Sequence, residues 1–130
     1  MKTIKQTITF KATPHEIYEL LMDSKKHAIF TGDSAKISRL EGGKISAYGD
    51  YITGKNIKLV PGKKIVQTWR AVDGVWPENH HSEITFELKP HPKGTEIIFF
   101  HKGVPENQVE EFTKGWSDYY WEPMKNYFSK

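Results

Sequence analysis

The chain has 130 residues, 37% hydrophobic, 27% charged and 13% aromatic, with a net charge of +3 and no cysteine. That length suits one domain with its own core, and the missing thiols exclude disulfides, thiolate nucleophiles and zinc thiolates. The longest apolar run, Ile97 to Phe100, is far too short for a membrane span, and the start Met1-Lys2-Thr3-Ile4-Lys5 alternates instead of building a signal sequence, so a cytoplasmic protein without membrane insertion is expected.

Residues 3–11 alternate, with Ile4, Ile8 and Phe10 on one parity, and read as a strand with one buried face. Thr13-Pro14-His15-Glu16 then opens a helix. Thr13 is placed to cap it, Pro14 fits the first helical position, and Glu16 completes a capping box ahead of Ile17, Leu20 and Leu21. A second helical turn carries Ala28, Ile29 and Phe30 up to Gly32. From Ala35 to His101, turns at Glu41-Gly42-Gly43-Lys44, Tyr48-Gly49-Asp50, Val60-Pro61-Gly62-Lys63, Asp73-Gly74 and Pro90 to Gly94 lie about a strand apart, the pattern of an antiparallel meander. Ile65, Gln67 and Trp69 share one parity, as do Ile84, Phe86 and Leu88, and Thr95, Ile97, Phe99 and His101. The parity of residues 51–60 is ambiguous. Past Gly103-Val104-Pro105, Asn107 and Glu110 have capping-box spacing, and Val109, Phe112, Trp116, Tyr119 or Tyr120, Pro123 and Tyr127 recur at helical steps. Pro123 predicts a kink near residues 119–122. The assembly expected is α+β: a curved antiparallel sheet of six to seven strands gripping a long C-terminal helix, with two short helices after the first strand, over residues 1–130.

No nucleophile elbow, phosphate loop or paired metal-binding histidine motif occurs. His80 and His81 are adjacent and point to opposite faces of a strand, so no metal site is expected. Lysines are scattered singly, so no nucleic-acid partner is expected either. His101, Gln67 and Asn56 are polar residues on inward parity, and buried polar groups need partners, from each other, from water or from a ligand. The rings Trp69, Phe86, Phe99, Phe112, Trp116 and Tyr120 are either solid core or the wall of a cavity between sheet and helix. Trp76, in the loop after Trp69-Arg70, is either an exposed anchor for a partner, a lid, or packing at the sheet edge.

The run Val60 to Arg70, then Trp76-Pro77-Glu78, Gly94-Thr95-Glu96, Gly103-Val104-Pro105, Gly115-Trp116 with Tyr119-Tyr120, and Tyr127-Phe128 resembles the C-terminal domain of the activator of the 90 kDa heat-shock chaperone ATPase. That family belongs to the START-like helix-grip superfamily, and the resemblance runs from about Ile8 to Phe128. It implies the fold just derived and a non-enzymatic binding module without a cofactor. A heat-shock chaperone would be contacted through Trp76, Val104 and Pro105. The alternative is a carrier of a small hydrophobic ligand held by Gln67, Trp69, Phe86, Phe99, His101, Phe112, Trp116 and Tyr120.

Overall fold

The computed structural model describes residues 1–71 and 80–129. Strand β1 (Lys2–Phe10) leads into helices α1 (Pro14–Met22) and α2 (Ser24–Thr31), followed by β2 (Lys36–Ile37), β3 (Lys44–Ala47), β4 (Ile52–Val60), β5 (Lys64–Ala71), β6 (Ser82–His91) and β7 (Gly94–Val104). A 3₁₀ turn (Glu106–Gln108) opens the C-terminal helix, which comprises α3 (Val109–Trp116), a π-turn (Ser117–Trp121) and α4 (Glu122–Phe128). The sheet has seven strands in the order β1-β7-β6-β5-β4-β3-β2, and every pair is antiparallel.

Strand parity carries straight into the packing. One row of inward side chains runs Gln6, Phe99, Phe86, Ile65 across four strands, and the next runs Ile4, His101, Ile84, Gln67, Asn56 across five. Between Asn56 and Lys58 the register of β4 against β5 shifts by one residue. This bulge turns Ile57 to solvent, so even-numbered positions face inward before it and Leu59 faces inward after it. A segment with two parities cannot be read by alternation alone, which accounts for the ambiguity of residues 51–60.

The capping box at α1 is complete: the Glu16 amide donates to Thr13 Oγ1 at 3.1 Å and the Thr13 amide to Glu16 Oε1 at 2.9 Å. Asp23 ends α1 and caps α2 by accepting the Lys26 amide at 3.0 Å, and Gly32, with φ 78°, closes α2. At the second expected box the chain behaves otherwise. Asn107 lies inside the 3₁₀ turn, and α3 starts from Gln108 without a side-chain cap.

The kink expected from Pro123 takes the form of the π-turn. Its extra residue lets both Tyr120 and Trp121 face the sheet, where plain helical spacing allows only one. Pro123 has no N–H for the carbonyl of Tyr119, and Tyr48 Oη donates to that oxygen instead, at 2.6 Å. At the other end the Ser117 amide bonds the Lys114 carbonyl, and the Thr113 carbonyl accepts from Gln6 Nε2 at 3.1 Å.

The approach of β4 to β5 depends on Gly54, where a Cβ would collide with the Thr68 carbonyl. Gly54→Ala is expected to lower stability by about 1–3 kcal/mol, read from the urea midpoint, and an unchanged midpoint would contradict this register.

Candidate functional site

Most residues expected to line a cavity fill it. Trp116 enters the concave face of the sheet and meets Phe99, Tyr120 and Trp69 at ring-centroid distances of 4.5, 4.7 and 5.5 Å, while Phe86 and Phe99 lie 5.1 Å apart. A small void of about 20 Å³ remains, bordered by Gln67, Phe86, Trp116, Tyr120 and His27, room for about one water molecule.

The buried polar residues are satisfied in two chains. An indole N–H can only donate, so Trp116 Nε1, 3.0 Å from His101 Nδ1, fixes that nitrogen as the acceptor and places the imidazole proton on Nε2. Nε2 then donates to Ser82 Oγ at 2.7 Å, and the hydroxyl donates to the Trp69 carbonyl at 2.8 Å. Protonating His101 would turn its acceptor into a second donor facing Trp116, and burial holds its pKa down at about 3. The arrangement suits a structural histidine, whose single in-plane lone pair is already engaged by the Trp116 N–H. In the second chain Gln67 Nε2 donates to Asn56 Oδ1 at 3.0 Å, and Asn56 Nδ2 donates to the carbonyls of Ser38 and Leu40 at 2.7 and 3.0 Å. Gln67 and Asn56 thereby pin the β2–β3 connection to the sheet.

An open groove lies at one end of the helix, between α3, the π-turn and the β3–β4 turn, with a volume of about 450 Å³. Of the residues named for a ligand cavity, Trp69, Phe112, Trp116 and Tyr120 border this groove, whereas Gln67, Phe86, Phe99 and His101 do not. Tyr48, Tyr51, Tyr119, Gln108, Asp33 and Glu111 complete the lining, and the sequence reading identified none of them as groove residues. Tyr48 takes a left-handed backbone (φ 50°) and is the non-glycine residue that does so among those described. Three interactions hold that strained conformation: its hydroxyl bond to Tyr119, edge-on contact with the rings of Tyr119 and Tyr120, and the bond from the Gly49 amide to the Ser34 carbonyl at 3.0 Å. Burial, with smaller contributions from Tyr119 and Asp33, pushes the Tyr48 phenol up to about 12, so it stays a neutral donor.

Of the expected partner surface, Val104 is 0% exposed and Pro105 is buried too, because β7 pairs with β1 up to Val104 and the chain turns inward from there. Their side chains form no open rim. Trp76 lies outside the described residues. His27 and Trp121 were also missed in the sequence. His27 is buried with Nε2 3.1 Å from the Tyr120 hydroxyl, and its Nδ1 has no partner among the described residues. Trp121 packs on Phe99 and donates to Gln6 Oε1 at 2.8 Å. Among the described residues no cluster of three metal-ligating side chains occurs, and no helix is long and apolar enough to cross a membrane.

Burial lowers His27 to about 4 as it lowers His101 to about 3, both from 6.5. The unfolded chain therefore takes up these protons at higher pH than the folded one. Their neutral forms stabilise the fold fully above pH 6.5, and that contribution is lost as pH falls from 6.5 through 4 toward 3. Urea stability measured across this window should fall more steeply for the native sequence than for His27→Phe, by about one proton; equal slopes would contradict a buried neutral His27.

The groove and the interior can be set against known proteins. The chain is 33% identical over 129 residues to the activator of 90 kDa heat shock protein ATPase homolog of Dictyostelium discoideum, covering 98% of this chain and 33% of that protein. It is 32% identical over 126 residues to the human homolog 1, covering 97% of this chain and 36% of that one. It thus spans about a third of the length of these relatives. A crystal structure of an HSP90 activator from Plasmodium falciparum superposes with a TM-score of 0.87 at 22% identity, over 98% of this chain and 96% of the other. The solution structure of the Aha1 dimer from Colwellia psychrerythraea gives 0.81 at 22% identity, over 98% and 96%. Both share the helix-grip fold, and the model of the family described as activator of Hsp90 ATPase homolog 1-like protein matches residues 11–129, so the chain belongs to that family.

Proposed function

We propose that the chain is a non-enzymatic protein-binding module whose partner is a heat-shock chaperone of the 90 kDa class. The observation that carries this reading is family membership across residues 11–129, together with relatives of known name at 32–33% identity. The interior supports it. The aromatic side chains pack on one another around a void of about 20 Å³, and the one inward histidine of the sheet is committed to Trp116 and Ser82. A site for chemistry needs an accessible acid or base beside a space for substrate, and His101 offers neither.

The partner surface proposed from the sequence comprises Trp76, Val104 and Pro105; in the segment before Val104, His80 Nε2 lies 2.7 Å from the Gly103 carbonyl and so ties the end of β7 to the start of β6. Val104 and Pro105 would contribute by holding this backbone in place, since both are buried. A second reading, carriage of a small apolar ligand between sheet and helix, draws on the open groove of about 450 Å³ and not on the filled interior.

An amide-resolved NMR titration of the labelled protein with a chaperone of this class tests the first reading. Shifts should cluster at Trp76 and Gly103, and Trp76→Ala should weaken binding at least about tenfold without changing stability. A saturating titration without shifts would overturn it.

A further inference from the structure

The groove has aromatic walls, and its only charged lining residues among those described are two carboxylates, Asp33 and Glu111. Both are exposed, and neither is in an ion pair among the described residues. Among the described residues no lysine, arginine or histidine borders the space, although the chain carries 19 Lys/Arg against 16 Asp/Glu. The local field is therefore opposite in sign to the net charge of the protein. Gln108 adds an independent observation. It is only 7% exposed and lines the groove, yet its side-chain amide makes no hydrogen bond among the described residues. The residue is more than nine-tenths buried while its amide opens onto the groove, where a ligand can meet it.

We infer that the groove binds a small organic cation, an ammonium group bearing N–H on an apolar body, which lies against the rings of Tyr48 and Tyr119 and meets Gln108, Asp33 and Glu111. Aromatic faces attract cations through their quadrupoles, and the apolar body gains from burial against the same rings. The Gln108 carbonyl accepts one ammonium hydrogen, a bond no carboxylate or alcohol of the same length could supply with a charge. Asp33 and Glu111 raise the local cation concentration and disfavour anions. The walls need little rearrangement. The Tyr48 hydroxyl is fixed on the Tyr119 carbonyl, and the Gly49–Ser34 bond holds the turn of Tyr48 against the segment that carries Asp33. A wall held in place before binding loses less entropy when a ligand arrives.

The inference rests on the ligand reading of the groove and adds the sign of charge to it. Three probes of equal chain length separate the two: hexylammonium, hexanol and hexanoate, each titrated into the labelled protein and followed at the amides of Gln108, Gly115 and Tyr119. Hexylammonium should bind tightest and hexanoate weakest. The double substitution Asp33→Asn, Glu111→Gln, which keeps a side-chain oxygen at position 33 for the Ser34 amide that Asp33 Oδ1 accepts at 2.7 Å, should weaken hexylammonium about three- to tenfold and leave hexanol unchanged. Hexanol binding as well as hexylammonium, or an unchanged hexylammonium affinity in the double variant, would overturn the cation preference while the ligand reading stands. No shifts with any probe would overturn both.

Discussion

The hydrogen bond from Trp116 to His101 sets the rotation of the C-terminal helix against the sheet. Apolar contact alone holds a helix on a concave sheet without fixing its angle, because burial is non-directional. A buried indole N–H that must find an acceptor does fix it. His101 can accept because its own proton is taken by Ser82, and Ser82 in turn is held by the Trp69 carbonyl. The chain of donors joins the helix to β5, β6 and β7, and each member fixes the role of the next. Losing one would strand a buried donor or acceptor, at a cost of about 1–3 kcal/mol per orphaned group. The inward histidine is therefore a device for orientation, and its depressed pKa follows from that role.

Two further ties act on the same helix and exist because the helix is imperfect. The π-turn and Pro123 leave the carbonyls of Thr113 and Tyr119 to be met from outside the helix, and Gln6 from β1 and Tyr48 from the β3–β4 turn meet them. Gln6 also accepts from Trp121, so one amide on the edge strand grips the helix at two places. In a regular helix those carbonyls would be occupied internally, and neither side chain would have a backbone acceptor there. The irregular turn thus fastens the helix along both of its flanks. It also determines the groove, since Tyr48 keeps a left-handed backbone only while its ring and hydroxyl are held by the π-turn.

The sheet was legible because its strands obey a period of two over lengths of eight to eleven residues in β5, β6 and β7, and no tertiary contact overrode it. The cap of α1 was legible for a related reason, being a local bond between residues three apart. Features that depend on one extra residue were not. The bulge after Asn56 reverses the parity of β4, and the π-turn adds Trp121 to a stripe that regular spacing assigns to Tyr120. The groove was legible by half. Its apolar wall follows from the helical stripe, but Tyr48, Asp33 and Glu111 come together from three separate segments, and no spacing in the sequence relates them. Val104 and Pro105 were expected at a partner surface from the family resemblance, whereas both are buried where β1 pairs with the end of β7 at Lys2.

The way this chain fills its interior constrains what it can bind. Helix-grip architecture places a helix over a concave sheet, and the space between them is set by side-chain volume. Here Trp116, Trp121, Phe86, Phe99 and Trp69 occupy it, so a ligand of more than about one water molecule cannot enter without displacing rings whose contacting centroids lie 4.5–6.3 Å apart. Recognition is displaced to the ends and outer surfaces of the fold. Between α3, the π-turn and the β3–β4 turn lies the open groove of about 450 Å³, walled by aromatic rings and edged by the carboxylates of Asp33 and Glu111. Gln108 illustrates the difference: His101, Gln67 and Asn56 are buried polar groups with protein partners, and Gln108 is a buried polar group that faces the groove. Trp116 and Tyr120 belong to both regions, closing the centre of the fold and bordering the groove, so the same turns of the helix carry stability and shape the space for recognition.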